Sequence, residues 1–255
     1  MATNIFDLTG RVAFVTGGNG GIGLGIAKGL GEAGANIVIA ARDQTKTAGA
    51  IAELENMGMD VIGLSIDVAD ESLVSSAVGM AIDRFGRIDI LVNNAGIGIR
   101  KLPQEYTAAE WDRVVEVNLK GAFLCSREIY PHMVNVRGGK IINIGSMNSL
   151  FGSSWAASYA ASKGGVVQFT KSLAVSWAKD NIQANAILPG WIQTDLTADI
   201  KRDWQDRYDT INSRIPQGKW GEPSDLAGAA VFLASRASNY LTGVALPVDG
   251  GYSAS

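Results

Sequence analysis

Near its beginning the chain reads Val12–Ala13–Phe14–Val15–Thr16–Gly17–Gly18–Asn19–Gly20–Gly21–Ile22–Gly23. The apolar run at its start is typical of a buried strand, and a helical pattern follows the glycines directly. Glycines let the backbone turn sharply and approach a ligand, and the start of a helix offers free N–H groups to a pyrophosphate. Glycine clusters also occur in ordinary turns, but this position between a first strand and a first helix favours dinucleotide binding. No Gly-Lys-Ser/Thr follows, which disfavours a P-loop kinase or GTPase.

The rest of the chain repeats the order of strand and helix. Strands are predicted at residues 11–16, 36–41, 61–65, 88–93, 140–145, 183–188 and 244–248. Helices are predicted at residues 21–33, 44–57, 71–85, 108–123, 158–179 and 224–234. Because the strands are apolar nearly throughout, we predict an α/β fold: one doubly wound, Rossmann-type parallel sheet of about seven strands with helices on both faces. We predict a single domain over residues 1–255, in which the long charged stretch 193–219 could be a substrate lid, a solvated helical excursion or both.

Composition excludes several classes of function. Hydrophobic residues make up 47% and charged residues 18%, with a net charge of −3, so no strong field attracts nucleic acid or a membrane surface. His132 is the single histidine, which excludes a multi-histidine metal site and argues against a Ser-His-Asp triad; we expect no metal. Cys125 is the single cysteine and cannot form an internal disulfide. Since the first residues carry no basic cluster and no apolar run approaches about 18 residues, we expect a cytoplasmic protein.

A tyrosine and a lysine supply candidate acid–base chemistry. Tyr159 and Lys163 are four residues apart, so they share one face of a predicted helix; taken alone, an exposed helix face is the simpler interpretation of the pair. Carbonyl reduction needs a proton donor and alcohol oxidation a base, and a free tyrosine, with a pKa of about 10, is a poor base. A neighbouring ammonium and an oxidised nicotinamide would favour the phenolate.

Two further polar residues lie where they can join this chemistry. Ser146 follows a predicted strand, at the carboxyl edge where parallel sheets bind ligands, and its hydroxyl could hold a reacting oxygen toward Tyr159. Asn118 is a polar residue in a largely apolar helical stretch, where a bonded core amide or a capping amide is the simpler explanation.

These motifs together resemble one enzyme family. Residues 16–23 resemble the cofactor turn of the classical short-chain dehydrogenases/reductases, and Asp67, Asn93–Asn94–Ala95–Gly96 and Pro189–Gly190 resemble its further landmarks, in order along nearly the whole chain. The resemblance implies hydride transfer between nicotinamide C4 and a carbonyl or secondary alcohol, with Tyr159 as general acid/base. It also implies that Asn118 holds a water that links Lys163 to solvent. The implied catalytic tetrad is Asn118, Ser146, Tyr159 and Lys163.

The end of the second strand bears on the cofactor. An NAD-preferring site usually has an acid where Ala41 stands, whereas Arg42 could hold a 2′-phosphate or simply be an exposed loop arginine. A basic residue often seen in the glycine turn of NADP-preferring relatives is replaced by Gly20. We therefore favour NADP(H), with NAD(H) as the alternative. The predicted cofactor-binding residues are Gly17, Asn19, Gly21, Ile22, Gly23, Arg42, Asp67, Val68, Asn94, Ala95, Gly96, Tyr159, Lys163, Pro189, Gly190, Ile192 and Thr194.

The substrate is predicted from the subgroup that the chain resembles, the gluconate- and deoxygluconate-type dehydrogenases. This implies a small-molecule substrate: a sugar acid, a polyol or a small ketone. Arg100 and Lys101 could meet a carboxylate or be merely solvated. The alternatives are a 3-oxoacyl-type ketoreductase, a catalytically silent nucleotide-binding regulator, and a nucleotide-sugar epimerase or dehydratase. The predicted substrate residues are Ser146, Asn148, Trp155 and Trp191, although the two tryptophans could serve packing alone.

The family resemblance also implies an assembly. Its members pair apolar surfaces on the helix of Tyr159 and on the last strand to build tetramers, so we expect a homotetramer. The residues concerned here are Phe169, Leu173, Trp177, Leu246 and Val248, and the alternative is that they pack only within one protomer.

Overall fold

Strands and helices alternate in the computed structural model, which describes residues 4–254 apart from the side chain of Lys201. The strands are β1 (Val12–Thr16), β2 (Asn36–Ala41), β3 (Val61–Ser65), β4 (Ile90–Asn93), β5 (Gly139–Ile144), β6 (Ile182–Pro189) and β7 (Ala245–Val248). The helices are α1 (Gly21–Glu32), α2 (Gln44–Asn56), α3 (Glu71–Phe85), α4 (Ala108–Val115), α5 (Gly121–Asn135), α6 (Ala157–Trp177), α7 (Ala198–Asp203), α8 (Gln205–Ser213) and α9 (Ala227–Ala234). Residues 1–3 and 255 of the predicted domain lie outside the described residues.

The seven strands form one parallel sheet in the order β3-β2-β1-β4-β5-β6-β7. All six pairings are parallel; between β1 and β4, for example, Val15 lies opposite Val92. The predicted doubly wound α/β fold is therefore confirmed. The chain leaves β1 toward β2 and leaves β4 toward β5, so the loops after β1 and β4 diverge. A crevice opens between them at the carboxyl edge, where such sheets bind ligands.

Helices cover both faces of the sheet by packing against its apolar side chains. Phe14 and Val38 belong to one buried cluster, with apolar residues of α3, α5 and α6. Ala13 and Ile37, their chain neighbours, belong to a second cluster with residues of α1 and α9. Because successive strand residues point to opposite faces, a strand buried on both sides must be apolar at every position. This explains why the strands lack the alternation of apolar and polar residues.

Two segments differ from the expected helices. The predicted helix 108–123 is in fact α4, a π-helical turn over Glu116–Lys120 and then α5, which continues to Asn135. Sequence inspection missed α5 beyond residue 123; Pro131 lies inside it, and proline normally interrupts helices. The stretch 193–219 contains α7 and α8. Within residues 4–254, no helix combines the length and apolarity needed to cross a membrane.

Candidate active site

The glycine turn after β1 has a backbone that only small residues permit. Gly17 has a φ of +62°, in the left-handed region that favours glycine. A Cβ on Gly23 would lie 2.3 Å from the carbonyl oxygen of Gly17, so Gly23 allows α1 to pack against the turn. Gly17 and Gly21 line a cavity of about 730 Å³ at the carboxyl edge of the sheet, whereas Gly23 is buried behind them and is not among its lining residues.

Hydrogen bonds tie this turn to the loop after β4. The Thr16 hydroxyl oxygen accepts hydrogen bonds from the backbone N–H groups of Asn94 (3.0 Å) and Ala95 (3.1 Å). The side-chain amide of Asn94 donates to the carbonyl oxygens of Thr16 and Gly17, at 3.0 Å each. The two loops that diverge at the crevice are thus fixed to each other. Ala95 and Gly96 continue along the wall of the same cavity.

Ser146 and Tyr159 meet in this cavity. Ser146 lies two residues beyond the end of β5, and its hydroxyl oxygen accepts a hydrogen bond from the Asn148 N–H at 3.1 Å. Tyr159 lies in the first turn of α6. Burial raises the pKa of Tyr159, and this outweighs the opposite effects of a hydrogen bond with Ser146 and of the charge of Arg100. The tyrosine is therefore protonated at neutral pH.

Lys163 is buried one helical turn after Tyr159. Only 3% of its surface is exposed, and its ammonium donates to the carbonyl oxygen of Ile144 at 2.7 Å. Burial lowers the pKa of Lys163 to about 8. Its Nζ lies 5.7 Å from the ring centroid of Tyr159. Burial is the largest influence on the pKa of Tyr159, and the charge that opposes it is that of Arg100.

Asn118 lies in the π-helical turn and is 2% exposed. Its Oδ1 accepts from the Ile97 N–H at 2.8 Å, and its Nδ2 donates to the Ile97 carbonyl at 2.9 Å and to the Ser162 hydroxyl at 3.0 Å. The amide therefore joins the loop after β4 to α6, between Tyr159 and Lys163. Local π-helical geometry often marks functional sites, because it shifts one side chain out of the regular helical array.

The other end of the cavity lies beside β2. Arg42 is exposed at its rim and forms no direct ion pair within residues 4–254. Burial alone would raise the pKa of Asp67, but the Ala69 N–H and the Arg113 guanidinium, each at 3.0 Å, lower it together with the charge of Arg42. Both carboxylate oxygens of Asp67 are thus already bonded within the protein.

Most of the predicted site residues line this one cavity. They are Gly17, Asn19, Gly21, Ile22, Arg42, Asp67, Val68, Asn94, Ala95, Gly96, Ser146, Tyr159, Lys163, Pro189, Gly190, Ile192 and Thr194. Gly23, Asn118, Asn148, Trp155 and Trp191 are not among its lining residues. Trp191 packs on Trp220 with ring centroids 5.1 Å apart, beside the apolar residues of α7 and α8.

Sequence inspection missed several residues around the cavity. Lys46 and Asp195 line it and form an ion pair of 2.5 Å, although they are 149 positions apart in the sequence. Arg207 of α8 lies with its guanidinium carbon 3.5 Å from the ring centroid of Trp155. No local pattern marks these residues; the only available signal for Lys46 was its place four residues after Arg42.

Comparison with known proteins gives a consistent result. A family model described as enoyl-(acyl carrier protein) reductase matches residues 17–253. The 2-dehydro-3-deoxy-D-gluconate 5-dehydrogenase of Formosa agariphila is 44% identical over 252 residues, which cover 98% of this chain and 96% of that protein. The gluconate 5-dehydrogenase of Gluconobacter oxydans is 38% identical over 253 residues, covering 99% and 98%.

A solved structure is similar over its whole length. The gluconate 5-dehydrogenase from Burkholderia cenocepacia, in complex with NADP and tartrate, is 40% identical and superposes with a TM-score of 0.95, covering 100% of both chains. The predicted resemblance is thereby confirmed. This chain belongs to the short-chain dehydrogenase/reductase family.

Proposed function

We propose that this protein is an NADP(H)-dependent oxidoreductase that interconverts a secondary alcohol and a ketone on a sugar acid. The observation that carries the proposal is that Ser146, Tyr159 and Lys163 line the same cavity as the glycine turn and Arg42. An acid–base group and a phosphate-binding turn are thus joined in one cleft. The sugar-acid dehydrogenases among the similar proteins support this class of substrate.

The cleft fits a dinucleotide. Its volume of about 730 Å³ lies in the range of small-molecule and cofactor sites. Gly17 and Gly21 would let the pyrophosphate approach the N–H groups that begin α1, Arg42 would meet a 2′-phosphate, and Lys163 would reach the nicotinamide ribose. When bound, the cofactor supplies or takes a hydride at nicotinamide C4. The relative from Burkholderia cenocepacia, which binds NADP, supports NADP(H) for this chain.

Tyr159 would transfer the proton. Because its pKa is raised, it holds a proton that it can give to the carbonyl oxygen of a ketone. In the reverse direction its deprotonated, phenolate form accepts the proton of the alcohol. The Ser146 hydroxyl would bond the same oxygen and orient it. Lys163, charged below a pH of about 8, would stabilise negative charge that develops on Tyr159. Asn118 positions the loop after β4 and would hold the relay water, as the family resemblance implies.

Two arginines lie around Trp155, outside the cavity lining, and the charge of one of them, Arg100, reaches Tyr159. Trp155 has the guanidinium of Arg207 at 3.5 Å and that of Arg100 at 5.2 Å from its ring centroid. Arg100 pairs with Asp199, whereas Arg207 forms no ion pair within the part of the chain that the structure describes. Burial and the charge of Arg100 lower the pKa of Arg207. An anion beside Arg207 would relieve both effects, so we assign the carboxylate of the sugar acid to it.

The architecture supports three further parts of the proposal. One sheet carries the main apolar clusters on its two faces, as a single domain over residues 1–255 would require. A lid formed by residues 193–219 would need contacts with the loop after β4, and Arg100 of that loop donates a hydrogen bond to the Leu196 carbonyl at 2.6 Å. For the proposed homotetramer, Val175 of α6 is 84% exposed, while Leu173 is only 6% exposed and packs within its own protomer. We place the protein in the cytoplasm.

A direct assay tests the proposal. Purified protein is offered a panel of gluconate- and deoxygluconate-type acids, their keto forms and neutral polyols, with NADP(H) or NAD(H), and nicotinamide absorbance is followed. We expect turnover of at least one acid with NADP(H), and none with Tyr159→Phe. Tight NADP(H) binding without turnover of any compound would instead favour a silent nucleotide-binding regulator. Turnover of 3-oxoacyl thioesters alone would favour a ketoreductase.

A further inference from the structure

A lysine from α2 lies over the glycine turn. A Cβ on Gly20 would be 2.6 Å from Cε and 2.8 Å from Nζ of Lys46. Lys46 therefore occupies the space that a side chain at position 20 would need. Its ammonium pairs with Asp195 at 2.5 Å, and both residues line the cavity. The turn itself contributes no cation, but a cation stands above it.

Hydrogen bonds fix the start of α2 relative to the turn. The Asp43 carboxylate caps the helix by accepting from the Lys46 N–H at 2.9 Å. The side-chain amide of Asn19, within the turn, donates to the Asp43 carbonyl and to the Thr47 hydroxyl, at 3.2 Å each. These bonds fix the backbone of Lys46 relative to Gly20, and the ion pair with Asp195 holds its ammonium.

Of the carboxylates compared at this end of the cleft, that of Asp195 is the one that another anion can replace as the partner of Lys46. Asp43 is committed to its helix cap, and Asp67 is bonded to Ala69 and Arg113. The side chain of Asp195 is 87% exposed, and an ion pair so exposed is weak and readily broken. A phosphate dianion carries more charge than a carboxylate and offers more acceptor oxygens. It would therefore compete well for Lys46.

We propose that Lys46 is a second cation for the 2′-phosphate of NADP(H), besides Arg42, and that it exchanges Asp195 for this phosphate when the cofactor binds. The inference rests on the NADP(H) use proposed above. Lys46 acts as a specificity-determining residue, and Asp195 is its competitor in the free protein. A cation supplied from α2 thereby replaces one that Gly20 cannot supply.

Cofactor binding, measured by calorimetry without substrate, tests this exchange. Lys46→Met should raise the Kd for NADP⁺ about tenfold, the lower end for a hydrogen bond to a charged group, and that for NAD⁺ less than about twofold. Asp195→Asn should tighten NADP⁺ by about two- to fivefold, because a competing exposed pair is removed. The double variant should match Lys46→Met, since Asp195 acts only through Lys46. Lys28→Met is the control: it breaks a similar pair with Glu53 at 2.6 Å, and Lys28 does not line the cavity.

Each outcome is decisive. Equal weakening of both cofactors by Lys46→Met, or none, would overturn the inference; Lys46→Arg should restore NADP⁺ binding, and its failure to do so would also count against it. If Arg42→Ala weakens NADP⁺ but Lys46→Met does not, this inference fails while the proposed function stands. If the wild type binds neither NADP⁺ nor NAD⁺, the proposed function itself fails.

Discussion

Replacement of Lys163 by methionine should abolish turnover and still leave the protein at least as stable at pH 7. Lys163 is 3% exposed, and its pKa is lowered from 10.5 to about 8 by burial. Because one pKa unit corresponds to about 1.4 kcal/mol, keeping this lysine charged in the folded state costs roughly 3 kcal/mol relative to the unfolded chain. Methionine keeps an apolar stem of similar length without the charge.

The replacement also loses one hydrogen bond. The Ile144 carbonyl, which accepts from Lys163 at 2.7 Å, would lose this donor, at a cost of about 1–3 kcal/mol. The net effect at pH 7 is then a gain of about 0–2 kcal/mol in the free energy of unfolding. Between pH 8 and 10.5 the unfolded wild-type chain binds more protons than the folded one, so wild-type stability rises with pH in this window. The advantage of Lys163→Met should therefore disappear by about pH 10.

Urea unfolding at pH 7 and pH 10, followed by tryptophan fluorescence, measures both quantities. Lys171→Met, an exposed lysine on the same helix, is the control and should show no such dependence on pH. A loss of more than about 1 kcal/mol for Lys163→Met at pH 7 would refute the reasoning, because burial of the charge would then not be costly. A difference that does not change with pH would refute it equally.

Three further predictions concern the cleft and the arginine beside Trp155. Tyr159→Phe should leave cofactor binding intact and lower turnover by about 10²–10⁴-fold, and retention of more than about a tenth of the wild-type rate would contradict the assigned proton transfer. Arg207→Gln should lower kcat/KM for a sugar acid by about tenfold and spare its neutral polyol, whereas Arg202→Gln, an exposed arginine paired with its neighbour, should affect neither. Gly96→Ala should lower turnover more than it lowers NADP⁺ affinity, and proportional losses in both would argue against a relay beside Lys163.

How much of the fold and the site can be predicted from the sequence depends on how far apart the interacting residues are along the chain. The glycine turn and the pair Tyr159 and Lys163 are local patterns, so their spacing reveals them, and the rule for parallel sheets brings them to one edge. Helix α5 was missed beyond residue 123 because proline normally interrupts a helix and Pro131 lies within it. In the structure the burial of Ile129 and Met133 outweighs this local effect. Pairs such as Lys46 with Asp195 form only once the chain has folded, and no local sequence pattern predicts them.

The hydrogen bonds of Asn118 are compatible with the proposed relay water. Both hydrogens of its Nδ2 are used, on the Ile97 carbonyl and on Ser162. Within residues 4–254, Oδ1 accepts only the Ile97 N–H and so keeps one lone pair. The point where a Cβ on Gly96 would stand lies 3.3 Å from this Oδ1 and 3.5 Å from the Lys163 ammonium. A water there could donate to Asn118 and accept from Lys163, and a methyl group would displace it. Because its donors are used, Asn118 could serve a relay only as a hydrogen-bond acceptor. Glycine at position 96 leaves the space for the water that would donate to it.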